Sequence, residues 1–580
     1  MSGVLEQPRS EETAETADES ARQKPKTQDA TTQQTSTAPK GFAVSTTRHQ
    51  ENTYLKGWRL YLTTLGLNIC IYLVNVEVTI VSTSLITIAN GFRSFNRTSW
   101  VVTGYLITYT GFIILWSKLS DIIGRKRSII ATMIMFIAFS GGCGASQNMD
   151  QLIILRAFQG IGSAGAYSIS ILICYEIVPK PALATMGAFA ASSTALGFST
   201  GPLIGGVLAQ HSIWRWIFYM NLPIGGLAIG LLLLALPAKV GRRSPPHRLG
   251  WFSHLRRIDI VGAIILLTAT LPLITALNEV YVQFKWPEAR TIVLLVLSGV
   301  AWFVFFAWEN AVTREKNVPE PIFPSRFFKN PNWMGMLLVT FFVGMPSNMV
   351  VVMLPERFQI VGGISALNAG VRLLAFSAVS AISAGISGIV SKKFRVPFIY
   401  LLLFSSVLHT VGVAMLATLP ETKDYPTVGY VYEALAGAGV GTTFGILILA
   451  TPFVVEPRDI GTLASTLVHM TGLTKPAVAT GAIIQFRFLG GAIGLAIGSN
   501  VLNCMLETRL TGILPPELLQ ALLHNTAIME TLPETQREIV QSVFAHAYTV
   551  QFRIMIGIAA AQFPASLLMW RKGGQITALE

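Results

Sequence analysis

Two ionisable residues interrupt runs that are apolar enough to cross a bilayer. Glu77 is the only carboxylate in the first such run, within Asn75, Val76, Glu77, Val78, Thr79, Ile80 and Val81. Arg156 lies in the fourth, followed by Gln159, Gly160, Gly162 and Gly165. A guanidinium in hydrocarbon is costly enough to require a partner or a water-lined cavity, and Glu77 is the natural acid for it. Low dielectric favours a neutral carboxyl and a neighbouring cation favours an ionised one, so a carboxyl that moves between two such settings binds and releases a proton. Two readings of the pair are open here, proton coupling and a buried ion pair kept for structure. Gln159, Arg372, Gln485 and Arg487 are the other polar residues in apolar runs that suit the wall of a substrate cavity. His409 stands alone on an apolar run and reads as a satisfied polar residue rather than a proton carrier.

Residues 117–127 form a polar, basic island between apolar runs at 100–116 and 129–145, and are expected to make a tight loop at a membrane surface. Within it, Asp121 is close enough to Arg125 and Lys126 for a charge pair, and Gly124 leaves the backbone unhindered. Such a clasp could open and close. Further along, Gly197, Gly201, Pro202, Gly205 and Gly206 clear one face of the fifth run for close backbone contact, and the proline allows bending. Gly437, Gly441 and Gly445, and Gly490, Gly494 and Gly498, repeat that stripe in the second half. Asn96, with Arg97 and Thr98, is a glycosylation sequon lying close to the membrane. No phosphate-binding glycine loop and no zinc-protease or paired-cysteine pattern is present, so neither ATP hydrolysis nor a metal site is expected. Cys70, Cys143, Cys174 and Cys504 fall in or beside apolar runs and read as packing residues.

The elements that must position these groups are membrane helices. The 580 residues are 52% hydrophobic and 13% charged, with a mean hydropathy of +0.54, which excludes an ordinary soluble enzyme. The net charge of +13 would suggest nucleic acid in a soluble chain, but here the cations gather in alternate loops. The sequence predicts an all-α polytopic membrane protein with fourteen transmembrane helices, near 60–88, 98–116, 129–146, 150–173, 183–208, 214–236, 258–277, 290–308, 333–354, 366–389, 397–418, 428–451, 477–504 and 546–570. Cations concentrate after the even-numbered spans, placing those loops and both termini in the cytoplasm. The organisation expected is a disordered tail at 1–55, a six-helix bundle at 56–237, and a basic cytoplasmic loop at 238–257. Two linker helices at 258–310 and a cytoplasmic loop at 311–332 follow. A second six-helix bundle at 333–572 carries an outside loop at 506–545, and a cytoplasmic tail occupies 573–580. Pro515, Pro516 and the leucines after them predict a helix lying on the outer surface. Lys392, Lys393 and Arg395 occupy the place after the tenth span that the basic island occupies after the second, a faint internal repeat.

Leu119, Ser120, Asp121, Gly124, Arg125 and Lys126 make the chain resemble the major facilitator superfamily, with Ser117 and Ile122 departing from its usual glycine and cation. Arg156, Gln159 and Gly160 resemble that family's proton-transfer motif. The unit from Gly197 to Gly206 resembles the motif of its exporters. Glu77 stands where fourteen-span relatives commonly have aspartate, and Trp214, Arg215 and Trp216 open a stretch similar to a signature of drug:proton antiporters, with Arg215 reaching lipid headgroups. Against fungal relatives, residues 460–476 look inserted, as a cytoplasmic loop or a translated intron. The resemblance implies two six-helix halves plus an inserted pair, acting as a monomer about a midplane cavity. It implies no cofactor, a proton gradient as energy source, and partners that are protons, the lipid bilayer and a small amphipathic organic compound, toxin or secondary metabolite. The plasma membrane is the first expectation and the vacuolar membrane the second. Uptake of a siderophore or nutrient is the nearest alternative, and a membrane sensor using residues 1–50 is a third.

Overall fold

The computed structural model describes residues 54–179, 182–211, 213–238, 259–314, 330–454 and 474–570. Most of the tail expected at 1–55, the loops at 238–257 and 311–332, the segment 460–476 and the tail 573–580 lie outside them. The long helices are α1 (Trp58–Phe92), α2 (Thr98–Ile123), α3 (Arg125–Ala145), α4 (Met149–Glu176), α5 (Leu183–Gln210), α6 (Trp216–Ala235), α7 (Ile260–Glu279) and α8 (Ala289–Arg314). The second half contributes α9 (Pro331–Ile360), α10 (Ala366–Phe394), α11 (Phe398–Leu416), α12 (Val428–Val454), α13 (Thr474–Leu510) and α14 (Glu534–Leu567). Thirteen of them are long and apolar enough to cross a membrane among the described residues, and α5, 28 residues long, is the remaining one. Helix is the form that satisfies backbone polar groups within each segment when no water is at hand.

The halves repeat one packing scheme. In the first, α1 packs on α5 and α6, and α4 on α2 and α3; in the second, α9 packs on α13 and α14, and α12 on α10 and α11. Glycines permit these contacts. A Cβ on Gly437, Gly441 or Gly445 would strike the α10 backbone at Phe376, Ser380 or Ala384, and one on Gly494 would lie 2.7 Å from Met345 Cα of α9. The halves meet reciprocally, α5 against α10 and α13 against α2.

On the side carrying the α1–α2 connection, the halves are held together. Gln359 Nε2 donates to the Thr83 carbonyl at 3.1 Å, Thr526 donates to Asn90 Oδ1 through its Oγ1 at 3.0 Å, and the Phe95 and Phe544 rings lie 6.3 Å apart. The short helix Pro516–His524, expected from its proline and leucines, precedes this Thr526 contact. The inserted pair spans the same side. Ser99 Oγ donates to Asn278 Oδ1 at 2.8 Å and Trp100 Nε1 to Glu279 at 2.7 Å, tying α7 to α2; Asn500 Nδ2 donates to the Val280 carbonyl at 3.3 Å, tying it to α13. Helix α8 rests on α7 through Ser298 Oγ to the Ala269 carbonyl (2.6 Å) and Trp308 Nε1 to Asp259 (2.9 Å).

The basic island is not the loop its charges predict. Helix α2 runs through it to Ile123, and α3 begins at Arg125, so Gly124 alone breaks the helix. Its φ of +100° is a conformation that glycine adopts without steric cost. The polar residues continue the helix past the apolar run because its own hydrogen bonds still satisfy the backbone there.

Candidate functional site

Five helices of the first half converge on Glu77. Arg156 Nη1 of α4 hydrogen-bonds both Glu77 Oε1 and, at 2.8 Å, Gln159 Oε1, while its Nε donates to the Val101 carbonyl of α2 at 3.1 Å. Asn221 of α6 donates from Nδ2 to Glu77 Oε2 at 2.6 Å and to Ser140 Oγ of α3 at 2.9 Å. The guanidinium also lies over the Tyr105 ring, 4.4 Å from its centroid. Glu77 is 0% and Arg156 1% exposed. Each carboxylate oxygen thus accepts a hydrogen bond, one from a cation and one from an amide. Asn221 and Ser140 were not legible as members of this cluster. The sequence marks Asn221 as a helix entrance beside Pro223, and Ser140 carries no signal at all. Gln159 belongs to the cluster through its bond to Arg156 rather than to a cavity wall.

At the α2–α3 turn, Arg125 forks onto Glu176 at the end of α4, with Nη2 to Oε1 at 2.7 Å and Nε to Oε2 at 3.0 Å. Its Nη1 reaches the Ser117 carbonyl at 3.3 Å and Ser120 Oγ. Lys126 Nζ donates to the Leu233 carbonyl of α6 at 2.7 Å. The turn is thereby fastened to α4 and α6. Asp121 lies in the last turn of α2, and its side chain lies outside the described residues. Glu176, the carboxylate that grips Arg125, is 51 positions away and was not anticipated. Arg215 does not reach for headgroups: its Nη1 donates to the Gly144 and Ser146 carbonyls at 2.6 and 2.7 Å, satisfying the open end of α3.

Gly197, Gly201 and Gly205 lie against α1, where a Cβ would meet Asn75, Thr79 and Ile80, while Gly206 faces α10 at Ala366. Thr83 Oγ1 donates to the Pro202 carbonyl at 3.1 Å and Ser84 Oγ to that of Gly205 at 2.8 Å. This glycine run therefore packs on the helix that carries Glu77 and on the opposite half at once. Asn96 sits half-buried in the one-turn helix Phe95–Arg97 between α1 and α2.

Arg487 of α13 is enclosed differently from Arg156. It is 7% exposed, and its guanidinium faces the rings of Phe444 (4.3 Å), Phe198 (5.2 Å) and Phe488 (5.8 Å), with no ion pair or hydrogen bond among the described residues and a buried Nε without a partner. A cavity between the halves is lined by Tyr167, Tyr175, Thr194, Ile448 and Ile484, the last of these one helical turn before Arg487 on α13. Gln485 is buried beside it on α13. Arg372 belongs elsewhere, over Phe358 and Tyr425, whose hydroxyl donates to Glu433 at 2.6 Å; it does not join the rings around Arg487.

Residues 65–495 match the family model described as Major Facilitator Superfamily. The chain is 36% identical over 524 residues to the MFS-type transporter FPY5 of Fusarium mangiferae, covering 90% of this chain and 85% of that one. It is 28% identical to the efflux pump bfoC of Aspergillus brasiliensis, covering 90% and 89%, and 31% identical to multidrug resistance protein 3 of Bacillus subtilis, covering 69% and 75%. A bacterial homolog of the human lysosomal transporter Spinster, solved in an inward-facing and unoccupied conformation, shares the fold with a TM-score of 0.56 at 14% identity, over 90% of this chain and all of that one. The repeated six-helix packing, the inserted pair and the match across most of its length make this chain a member of the major facilitator superfamily, an integral membrane transporter and not an enzyme.

Proposed function

We propose that this transporter is a proton-coupled exporter of small amphipathic organic compounds in the plasma membrane, working as a monomer with both termini and the α2–α3 turn in the cytoplasm. The observation that carries the reading is the Glu77–Arg156 pair, buried where five helices meet. Protonation of Glu77 removes the charge that holds Arg156 and Asn221, so α4 and α6 are freed to shift against α1; release of the proton restores the pair. In the arrangement described, the α1–α2 side is closed, so cargo enters the cavity between the halves from the cytoplasm. Rocking of the halves then presents it outside, and an external proton returns the carrier. The efflux pump and multidrug resistance relatives support the outward direction, as does the resemblance of the unit from Gly197 to Gly206 to the motif of exporters.

The test uses inside-out membrane vesicles with an imposed inward-acid gradient and a fluorescent amphipathic probe. Gradient-dependent accumulation in wild type that disappears in Glu77→Gln is expected. Accumulation that survives in Glu77→Gln would move the proton site away from this cluster.

A further inference from the structure

Two of the buried arginines, Arg156 and Arg487, are satisfied in different ways. Arg156 has a carboxylate, an amide and a carbonyl to satisfy it. Arg487, also buried, has only aromatic faces among the described residues. A desolvated guanidinium without a counter-charge is held at a cost, which the quadrupoles of surrounding rings offset in part. Its fork matches the geometry of a carboxylate or a similar planar anion. Four further features locate it. It lies on α13, which packs against α2 of the other half; one of its rings, Phe198, comes from α5 of the first half; Tyr109 of α2 stacks edge-on against Phe488 at 4.7 Å; and the cavity between the halves is lined by Ile484, one turn before Arg487 on α13, and by Thr194, one turn before Phe198 on α5.

We propose that Arg487 is the anchor of the substrate site and that the preferred cargo is a flat, largely apolar organic anion, whose acid group pairs with the guanidinium while its body stacks on Phe198, Phe444 and Phe488. The ligand supplies the charge that the protein withholds, so the empty site disfavours its own cation and the loaded site does not. The inference names the cargo class of the transport reading above and rests on that reading only for the direction of travel.

The test is equilibrium binding to the purified full-length protein in detergent, without a gradient. The probes are 1-pyrenebutyrate at pH 7.5 and its uncharged amide, 1-pyrenebutanamide, which share one apolar body. Wild type is expected to bind the acid roughly ten- to a hundredfold more tightly than the amide, the range of a charge-assisted hydrogen-bonded pair. Arg487→Gln is expected to abolish that ratio by weakening the acid alone, and Arg487→Lys, which keeps the charge but not the fork, to retain part of it. Monodispersity of each variant on size exclusion establishes folding. Equal binding of acid and amide by wild type, binding of neither, or a parallel loss of both in Arg487→Gln would overturn the assignment. Because binding requires no proton gradient, failure here leaves the Glu77 experiment standing, and failure of that experiment leaves this one standing.

Discussion

Replacing Glu77 by Gln and Arg156 by Met, singly and together, tests whether the pair is coupled as its geometry implies. Glu77→Gln keeps the volume but leaves a guanidinium that is 1% exposed facing a neutral amide. Arg156→Met leaves a carboxylate that is 0% exposed with Asn221 Nδ2 at 2.6 Å as its remaining donor. Breaking one side of a buried ion pair costs about 3–5 kcal/mol, because the survivor stays desolvated, whereas removing both charges together is close to neutral. The two single losses would sum to about 6–10 kcal/mol if independent, and the double variant is expected to lose less than half of that, a coupling of at least ~3 kcal/mol. Once Cys504, which is free and only partly buried, is replaced by Ser, the chain carries its own reporter of unfolding: Cys70, Cys143 and Cys174 are buried and free, so in that background a thiol-reactive fluorogenic dye lights up as the bundle opens. Thermal midpoints in detergent should fall for each single variant and recover in the double. A double variant whose midpoint falls by the sum of the two would show that Glu77 and Arg156 are separately accommodated, and would remove the physical basis for releasing one by protonating the other.

Three further variants read out on the same dye. Gly205→Ala would drive a Cβ to 2.6 Å from Thr83 Oγ1 and into the Ile80 carbonyl, so a loss of about 1–3 kcal/mol or more is expected, whereas Gly226→Ala, with nothing within 4 Å, should leave the midpoint unchanged; equal midpoints for the two would contradict the α1–α5 contact. Glu176→Gln leaves Arg125, 3% exposed, without its fork and should cost about 3 kcal/mol, toward the lower end for a buried pair because Glu176 itself is 10% exposed. A midpoint equal to wild type would mean that the grip on α4 contributes nothing.

The helices were legible because hydropathy and loop charge are written locally, one span at a time. The Glu77–Arg156 pairing was legible by scarcity, since the first apolar run offers one carboxylate. Asn221, Ser140 and Glu176 were not, because each joins its partner only through packing between distant helices and each has a bland local role. The island at 117–127 misled through its charges: polarity marks where the chain leaves hydrocarbon, but only a residue such as Gly124, with its positive φ, marks where a helix stops. Arg372 and Arg487 look alike in sequence, and their surroundings differ because the repeat places them on different helices, one beside Tyr425 and Glu433 and the other among phenylalanines between the halves.

The inserted helices make the moving bodies unequal. Helix α7 holds α2 by two side-chain hydrogen bonds and α13 by one, and α8 is bonded to α7. At about 1 kcal/mol for each bond, these side chains favour α2 over α13 as the partner that keeps the pair. Under the rocking proposed above, eight helices would move against six. A carrier built from equal repeats would thereby be divided into unequal bodies.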